Sequence, residues 1–244
     1  MDSLPVNRSS EKPAAVIFDV DGTLVDSVDL HARAWQEALA DYGKQVSLAD
    51  VRKQIGKGSD QLLPVFLSQT ELERFGEPLE KYRGHLFRER YLARVRPFPK
   101  VRELFDRIRS DGIRIGLASS ADREDLKYFE RLTCIEDLLD QVTSSEDVQR
   151  SKPHPDLFAV ALEALGRPDP ECVLVVGDTP YDAEAAAKMR LRTIGMLSGG
   201  FPPKELEAAG CVALFRDPQD LYRRYPESPL AMLAVPIHRL QEAR

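Results

Sequence analysis

The sequence predicts an α/β protein built on a doubly wound parallel sheet, with an α-helical domain inserted after the first strand. Two observations predict the sheet: short, uniformly apolar runs recur along the chain, and helical patterns separate them. A third places the insertion, because residues 27–95 carry helical patterns and no convincing strand.

In chain order, residues 1–12 are polar and predict a disordered N-terminus. The first strand follows over Ala14–Asp19, with no polar alternation, as expected of a strand buried on both faces. The helical domain spans 28–95, with patterns such as "LHARAWQEALADYG" (Leu30–Gly43) and "LEKYRGHLFRERYLARV" (Leu79–Val95). The two prolines of "RPFPK" (Arg96–Lys100) favour extended backbone and mark the return to the core. Val101, Leu104, Phe105 and Ile108 then recur at i, i+3, i+4 and i+7, with Gly112 as a stop. Further strands are predicted at Ile113–Ser119, Asp140–Ser145, Cys172–Asp178, Arg192–Met196 and Cys211–Phe215. A second helical stripe runs through Leu157, Val160, Ala161 and Leu165. The core domain is therefore 13–27 joined to 96–225. A tail at 226–244 docks on it, supports a dimer or stays loose.

Composition excludes several classes. Lys and Arg number 34 against 40 Asp and Glu, a net charge of −6, which argues against a nucleic-acid surface. No apolar run reaches the roughly 18 residues a bilayer span needs, and "MDSLPVNRSSEK" lacks the apolar core of a secretory signal. Cys134, Cys172 and Cys211 are scattered, which fits buried, reduced thiols better than a disulfide framework or a zinc site. The expectation is a soluble, cytoplasmic monomer or homodimer with neither nucleic-acid nor membrane partners.

Ligands of an open parallel sheet bind beyond the carboxyl ends of its strands. Asp19, Asp21 and Gly22 stand there after the first strand, and Ser119 and Ser120 after the second. Lys152 lies in the loop after the third, and Asp178 and Asp182 follow the fourth. One acidic residue after a strand is ordinarily a turn former, but four strands delivering matched groups to one edge point to chemistry. Aspartate oxygens without Cys or His suit a hard cation, Mg²⁺ before Zn²⁺. A cation, an ammonium and hydroxyls suit a phosphoryl group, which a carboxylate can itself attack to form an aspartyl phosphate.

These residues lie in "DVDGT" (Asp19–Thr23), "ASS" (Ala118–Ser120), "SKPHPD" (Ser151–Asp156) and "GDTPYD" (Gly177–Asp182). In that order and spacing the set resembles the haloacid dehalogenase superfamily over residues 14–222, and the helical insertion resembles the family's cap domain. The resemblance implies a small phosphate ester as substrate, Mg²⁺ as cofactor and Asp19 as nucleophile and metal ligand. Asp21 would offer its backbone carbonyl to the metal and act as the acid and then the base, with a raised pKa. Ser119, with Ser120, Gly22 and neighbouring amides, would hold phosphate oxygens. Lys152 would neutralise charge on Asp19 and the phosphate. Asp178 would complete the metal site, with Asp182 ligating through water or standing behind it.

Asp21 favours phosphate-ester chemistry, since the dehalogenase and phosphonate-cleaving branches keep no aspartate at that position. A sugar phosphomutase is the rival reading, because "HARAW" (His31–Trp35) is similar to a segment of such mutases. Against it, the mutases carry an acidic residue where this chain has Gly177. A non-catalytic phospho-ligand module is disfavoured because every catalytic position is filled. Substrate choice is expected from the helical domain, through His31 and through Lys57 in "IGKGSDQLLP" (Ile55–Pro64), a loop leading into a helix capped by Ser59 or Asp60.

Overall fold

The computed structural model describes residues 12–232. Its core is a six-stranded sheet in the order β5-β4-β1-β6-β7-β8, with every neighbouring pair parallel. The strands are β1 (Ala15–Phe18), β4 (Arg114–Ala118), β5 (Gln141–Thr143), β6 (Val173–Gly177), β7 (Arg192–Met196) and β8 (Cys211–Phe215). β1 lies at the centre, and successive residues serve opposite layers. Val16 and Phe18 pack with Leu104, Phe105 and Ile108 of α5 (Val101–Ser110) and with Leu126 and Phe129 of α6 (Arg123–Thr133). Ala15 and Ile17 pack with Leu157, Phe158 and Ala161 of α7 (Asp156–Ala164) and with Ala185 and Ala186 of α8 (Pro180–Lys188). The uniformly apolar strands are explained by this double cover. In α7 the buried stripe is Leu157, Phe158, Ala161 and Leu162, while Val160 is only half-buried. The helices α9 (Pro203–Ala208) and α10 (Pro218–Arg223) complete the core.

Between β1 and α5 the chain forms a separate helical lobe of α1 (Val28–Asp41), α2 (Leu48–Arg52), α3 (Ser59–Phe66) and α4 (Gln69–Arg90). It has its own apolar cluster, in which Val28, Ala32, Trp35 and Leu39 form the inner stripe of α1. Two details differ from expectation. α4 begins well before Leu79 and continues through Pro78, because a capping box of Ser68 and Glu71 starts it nearly three turns earlier. α3 takes Gly58 as its N-cap, while the Ser59 hydroxyl bonds Glu80 and the Asp60 carboxylate bonds Ser151. The lobe is joined to the core by a ribbon of β2 (Val25–Asp26) paired antiparallel with β3 (Arg96–Pro97), so the first two residues of the expected linker are paired strand.

The tail falls partly within the described residues. Tyr225 and Leu230 are buried in the core cluster, so the chain docks there as far as it is described. The N-terminal call lies outside them, apart from Lys12, which pairs with Asp111 at 2.7 Å. None of the three cysteines is in a disulfide among the described residues, but Cys134 is exposed and the other two are half-buried, so they are not the buried thiols expected. No described helix is long and apolar enough to cross a membrane.

Candidate active site

The sheet order sets β5, β4, β1 and β6 side by side, so the motif residues that follow them gather at one edge, with Asp19, Asp21, Ser119 and Ser120 lining a cavity there. Asp19 follows β1, is 4% exposed, and has Oδ1 2.5 Å from Lys152 Nζ. Lys152 is wholly buried and lies 2.7 Å from Asp182 Oδ1 on its other side, with Phe158 beneath its ammonium. Asp182 belongs to the first turn of α8, where its Oδ2 accepts from the Thr179 amide (3.1 Å) and hydroxyl (2.7 Å) in a capping box. Its carboxylate is thereby held behind Asp19, doing structural and electrostatic work at once. Thr23, absent from the expected set, donates to Asp178 Oδ1 at 3.0 Å and lies 3.4 Å from Asp19 Oδ2.

Oxygens of Asp19, Asp178 and Asp182 lie within 4.8 Å of one another. Burial pushes the Asp19 carboxyl up to about 7 even though Lys152 pulls it down. Burial, then the charges of Asp19 and Asp182, raise Asp178 well above the carboxylate range. Such crowding calls for a cation, and the structure leaves room for one. Asp178 Oδ2 is buried without a hydrogen-bond partner. A Cβ on Gly22 would fall 2.3 Å from that oxygen, and one on Gly199 only 1.7 Å from it. Two glycines on different loops therefore keep the space beside Asp178 open, and an all-oxygen donor set fits a hard divalent ion. Gly22 also has φ +79°, which glycine adopts without strain. Its amide donates to the Val25 carbonyl at 2.9 Å, so it serves the turn rather than the phosphate as expected.

Asp21 points away from this cluster. Its Oδ1 accepts from Ser27 Oγ at 2.6 Å and from His31 Nε2 at 2.8 Å. His31 lies on α1, stacks on Phe87 at 3.9 Å, and meets the Arg83 guanidinium of α4 through Nδ1. Arginine only donates, so Nδ1 is the acceptor and Nε2 carries the proton given to Asp21. His31 is thus occupied at both nitrogens, and it stands between Asp21 and Arg83 rather than offering a free nitrogen to substrate as expected. Burial would raise the Asp21 carboxyl, but His31, by its charge when protonated and by its hydrogen bond, then the Ser27 hydrogen bond and the Arg83 charge, outweigh it and hold the pKa below its ordinary value. That is the reverse of the raised value expected for an acid: the arrangement presents Asp21 as a carboxylate, the form that accepts a proton.

Lys57, Arg83, Ser119 and Asp125 line the same cavity as Asp19 and Asp21. Lys57 Nζ donates to Gln54 Oε1 at 2.7 Å and lies over the Tyr181 ring at 4.6 Å. Ser119 is buried, and its hydroxyl oxygen accepts from the Ala121 amide at 3.0 Å, leaving its proton free to point elsewhere. Ser120 instead donates to the Gly56 carbonyl of the helical lobe at 3.3 Å. Arg83 shows no distinctive spacing in sequence and needs the tertiary fold to reveal it. The "SGG" at Ser198–Gly200, absent from the expected set, supplies Gly199 and the Ser198 hydroxyl, which donates to the Gly22 carbonyl at 2.6 Å.

This arrangement of aspartates, lysine and hydroxyls on a parallel sheet defines a hydrolase class, and comparison assigns it. The model of the haloacid dehalogenase-like hydrolase family matches residues 16–196, and the chain belongs to that family. A phosphorylated carbohydrates phosphatase of Thermotoga maritima is 30% identical over 83% of this chain and 94% of its own. The chloroplastic Protein SUPPRESSOR OF QUENCHING 1 of Arabidopsis thaliana is 31% identical over 76% of this chain, a region that makes up 18% of that protein. A hydrolase from Pseudomonas syringae superposes with a TM-score of 0.79 at 28% identity, covering 88% of this chain and 98% of its own.

Proposed function

We propose that the protein is a Mg²⁺-dependent cytoplasmic phosphatase that hydrolyses a small phosphorylated metabolite through an aspartyl phosphate on Asp19. The observation that carries this reading is the buried Asp19 carboxylate, held on Lys152 at the floor of a cavity beside the unpartnered Asp178 Oδ2. Asp19 attacks phosphorus, Lys152 offsets the charge that accumulates, and the Ser119 hydroxyl holds a phosphoryl oxygen. Asp21, a carboxylate at rest, takes up a proton with the incoming phosphate ester, gives it to the departing oxygen, and recovers one from the water that hydrolyses the aspartyl phosphate. Asp19, Asp178 and the Asp21 carbonyl would hold Mg²⁺, with Asp182 behind them, and the bound ion would supply positive charge to the phosphoryl oxygens. The helical lobe is read as the cap that closes the cavity, and Lys57 as its contact with the leaving group.

A sugar phosphomutase is the second reading, favoured by His31–Trp35. Gly177 argues against it physically as well: a Cβ there would fall 2.5 Å from Asp182 Cγ, so an acidic side chain would displace the partner of Lys152. Assaying phosphorylated sugars and acids with Mg²⁺ and with EDTA, while following both free phosphate and isomerised sugar phosphate, tests both. Phosphate released only with the metal supports the phosphatase. Activity undiminished by EDTA, or stoichiometric isomerisation, contradicts it.

A further inference from the structure

Three of the contacts that tie the helical lobe to the core use a core residue next in sequence to Ser119, Lys152 or Asp182. Ser120, beside Ser119, donates to the Gly56 carbonyl. Tyr181, beside Asp182, donates its hydroxyl to the Lys53 carbonyl at 2.6 Å. Ser151, beside Lys152, is held most completely. Its amide donates to Asp60 Oδ2 at 3.0 Å, its hydroxyl donates to Asp60 Oδ1, and the same hydroxyl oxygen accepts from the Gly58 amide at 2.8 Å.

Gly58 shows that this approach is built into the chain. Its φ of −76° and ψ of 171° are ordinary extended values, open to any residue. An N-cap favours Ser, Asp or Asn over Gly. A Cβ at this position would fall 2.6 Å from Ser151 Cβ and Oγ and 2.8 Å from Asp60 Oδ1. Neither backbone nor helix demands glycine here; the closeness of Ser151 does. Asp60 would suit the first turn of α3 in any rotamer, yet both of its oxygens are directed at Ser151.

We propose that Asp60 is a positioning residue for Lys152, acting through Ser151, so that docking of the helical lobe sets the ammonium between Asp19 and Asp182. This rests on the reading of Lys152 as the lysine that serves the phosphoryl group. Its Nζ, with carboxylates 2.5 and 2.7 Å away and no exposure, has little tolerance for a shifted backbone.

Three variants test it: Asp60→Ala, Asp60→Asn and Gly58→Ser, assayed with p-nitrophenyl phosphate and by hydrogen exchange over residues 149–154. Asp60→Ala should lower kcat roughly tenfold or more, the scale of a lost charged hydrogen bond, with KM little changed. Asp60→Asn should recover part of that loss, because its side-chain carbonyl still accepts from the Ser151 amide. Gly58→Ser is the better helix cap, so Tm should hold or rise while kcat falls. Exchange at Ser151 and Lys152 should quicken in Asp60→Ala and Gly58→Ser. Gly58→Ser with the wild-type kcat, or Asp60→Ala with unchanged exchange over 149–154, overturns the proposal. If the wild-type protein releases no phosphate from any ester, the phosphatase reading fails, and the exchange data still decide whether Asp60 holds the Lys152 segment.

Discussion

Replacing Lys152 by methionine keeps most of the side-chain length over the Phe158 ring and removes the charge that separates Asp19 from Asp182. Three carboxylates are then left in a buried site with no cation among them. Breaking a buried ion pair from one side costs about 3–5 kcal/mol. At about 2–4 °C per kcal/mol for a chain of this size, Tm should fall by about 6–20 °C at neutral pH without metal. The deficit should depend on pH in a definite direction. The Asp19 carboxyl already sits at about 7 in the fold, against an ordinary 3.8, because burial outweighs the pull of Lys152. Without the lysine its folded pKa rises further. A carboxyl raised in the folded state costs nothing once both states are protonated, and its cost grows as pH climbs through the ordinary value towards the folded one. The gap between wild type and Lys152→Met should therefore be wide near neutrality and narrow in acid, and Mg²⁺ should narrow it too. Thermal unfolding followed by circular dichroism at both pH values, with and without MgCl₂, measures this. A gap of equal size at both pH values would refute the electrostatic reasoning and leave lost packing as the cause.

Gly199→Ala should abolish metal-dependent activity while leaving the protein folded, since its Cβ would occupy the space 1.7 Å from Asp178 Oδ2; titration calorimetry with Mg²⁺ should show binding lost, and unchanged binding would contradict the site. In metal-free wild type, the raised Asp19 and Asp178 carboxyls take up protons on folding. Stability should fall as pH rises from about 4 to about 7, the interval between the ordinary and the folded Asp19 values, and the Tm gain from Mg²⁺ should grow over the same interval. Lys57→Ala should lower kcat/KM by roughly 10- to 150-fold for substrates with an anionic or hydroxylated leaving group. Turnover of p-nitrophenyl phosphate should change little; equal losses on both would place the damage at the catalytic centre instead.

The core strands were legible because a strand covered on both faces must be apolar throughout, as "VLVVG" in β6 and "AVIF" in β1 are. Asp19, Lys152, Asp178 and Ser119 were legible for a related reason: parallel strands deliver whatever follows them to one edge. What escaped depends on contacts between segments distant in sequence. Arg83 meets His31 across 52 positions, and Asp60 meets Ser151 across 91. Gly199 escaped because the oxygen it spares belongs to another strand end. The depressed pKa of Asp21 was likewise invisible, since His31 and Arg83 come from two different helices of the lobe. The helical pattern singled out at Leu79–Val95 covers only the later turns of α4, which Ser68 and Glu71 start upstream and which continues through Pro78.

The central claim is that Asp19 becomes phosphorylated. Acid-quenching the enzyme during turnover with Mg²⁺ and treating it with borohydride would reduce an acyl phosphate at residue 19 to homoserine, which peptide mass spectrometry detects. The account predicts homoserine at position 19 in the wild-type protein with substrate, none without substrate, and none in Asp19→Asn. A protein that turns over substrate and leaves Asp19 unmodified under every quench, or an Asp19→Asn variant that keeps a substantial share of wild-type activity, would contradict it.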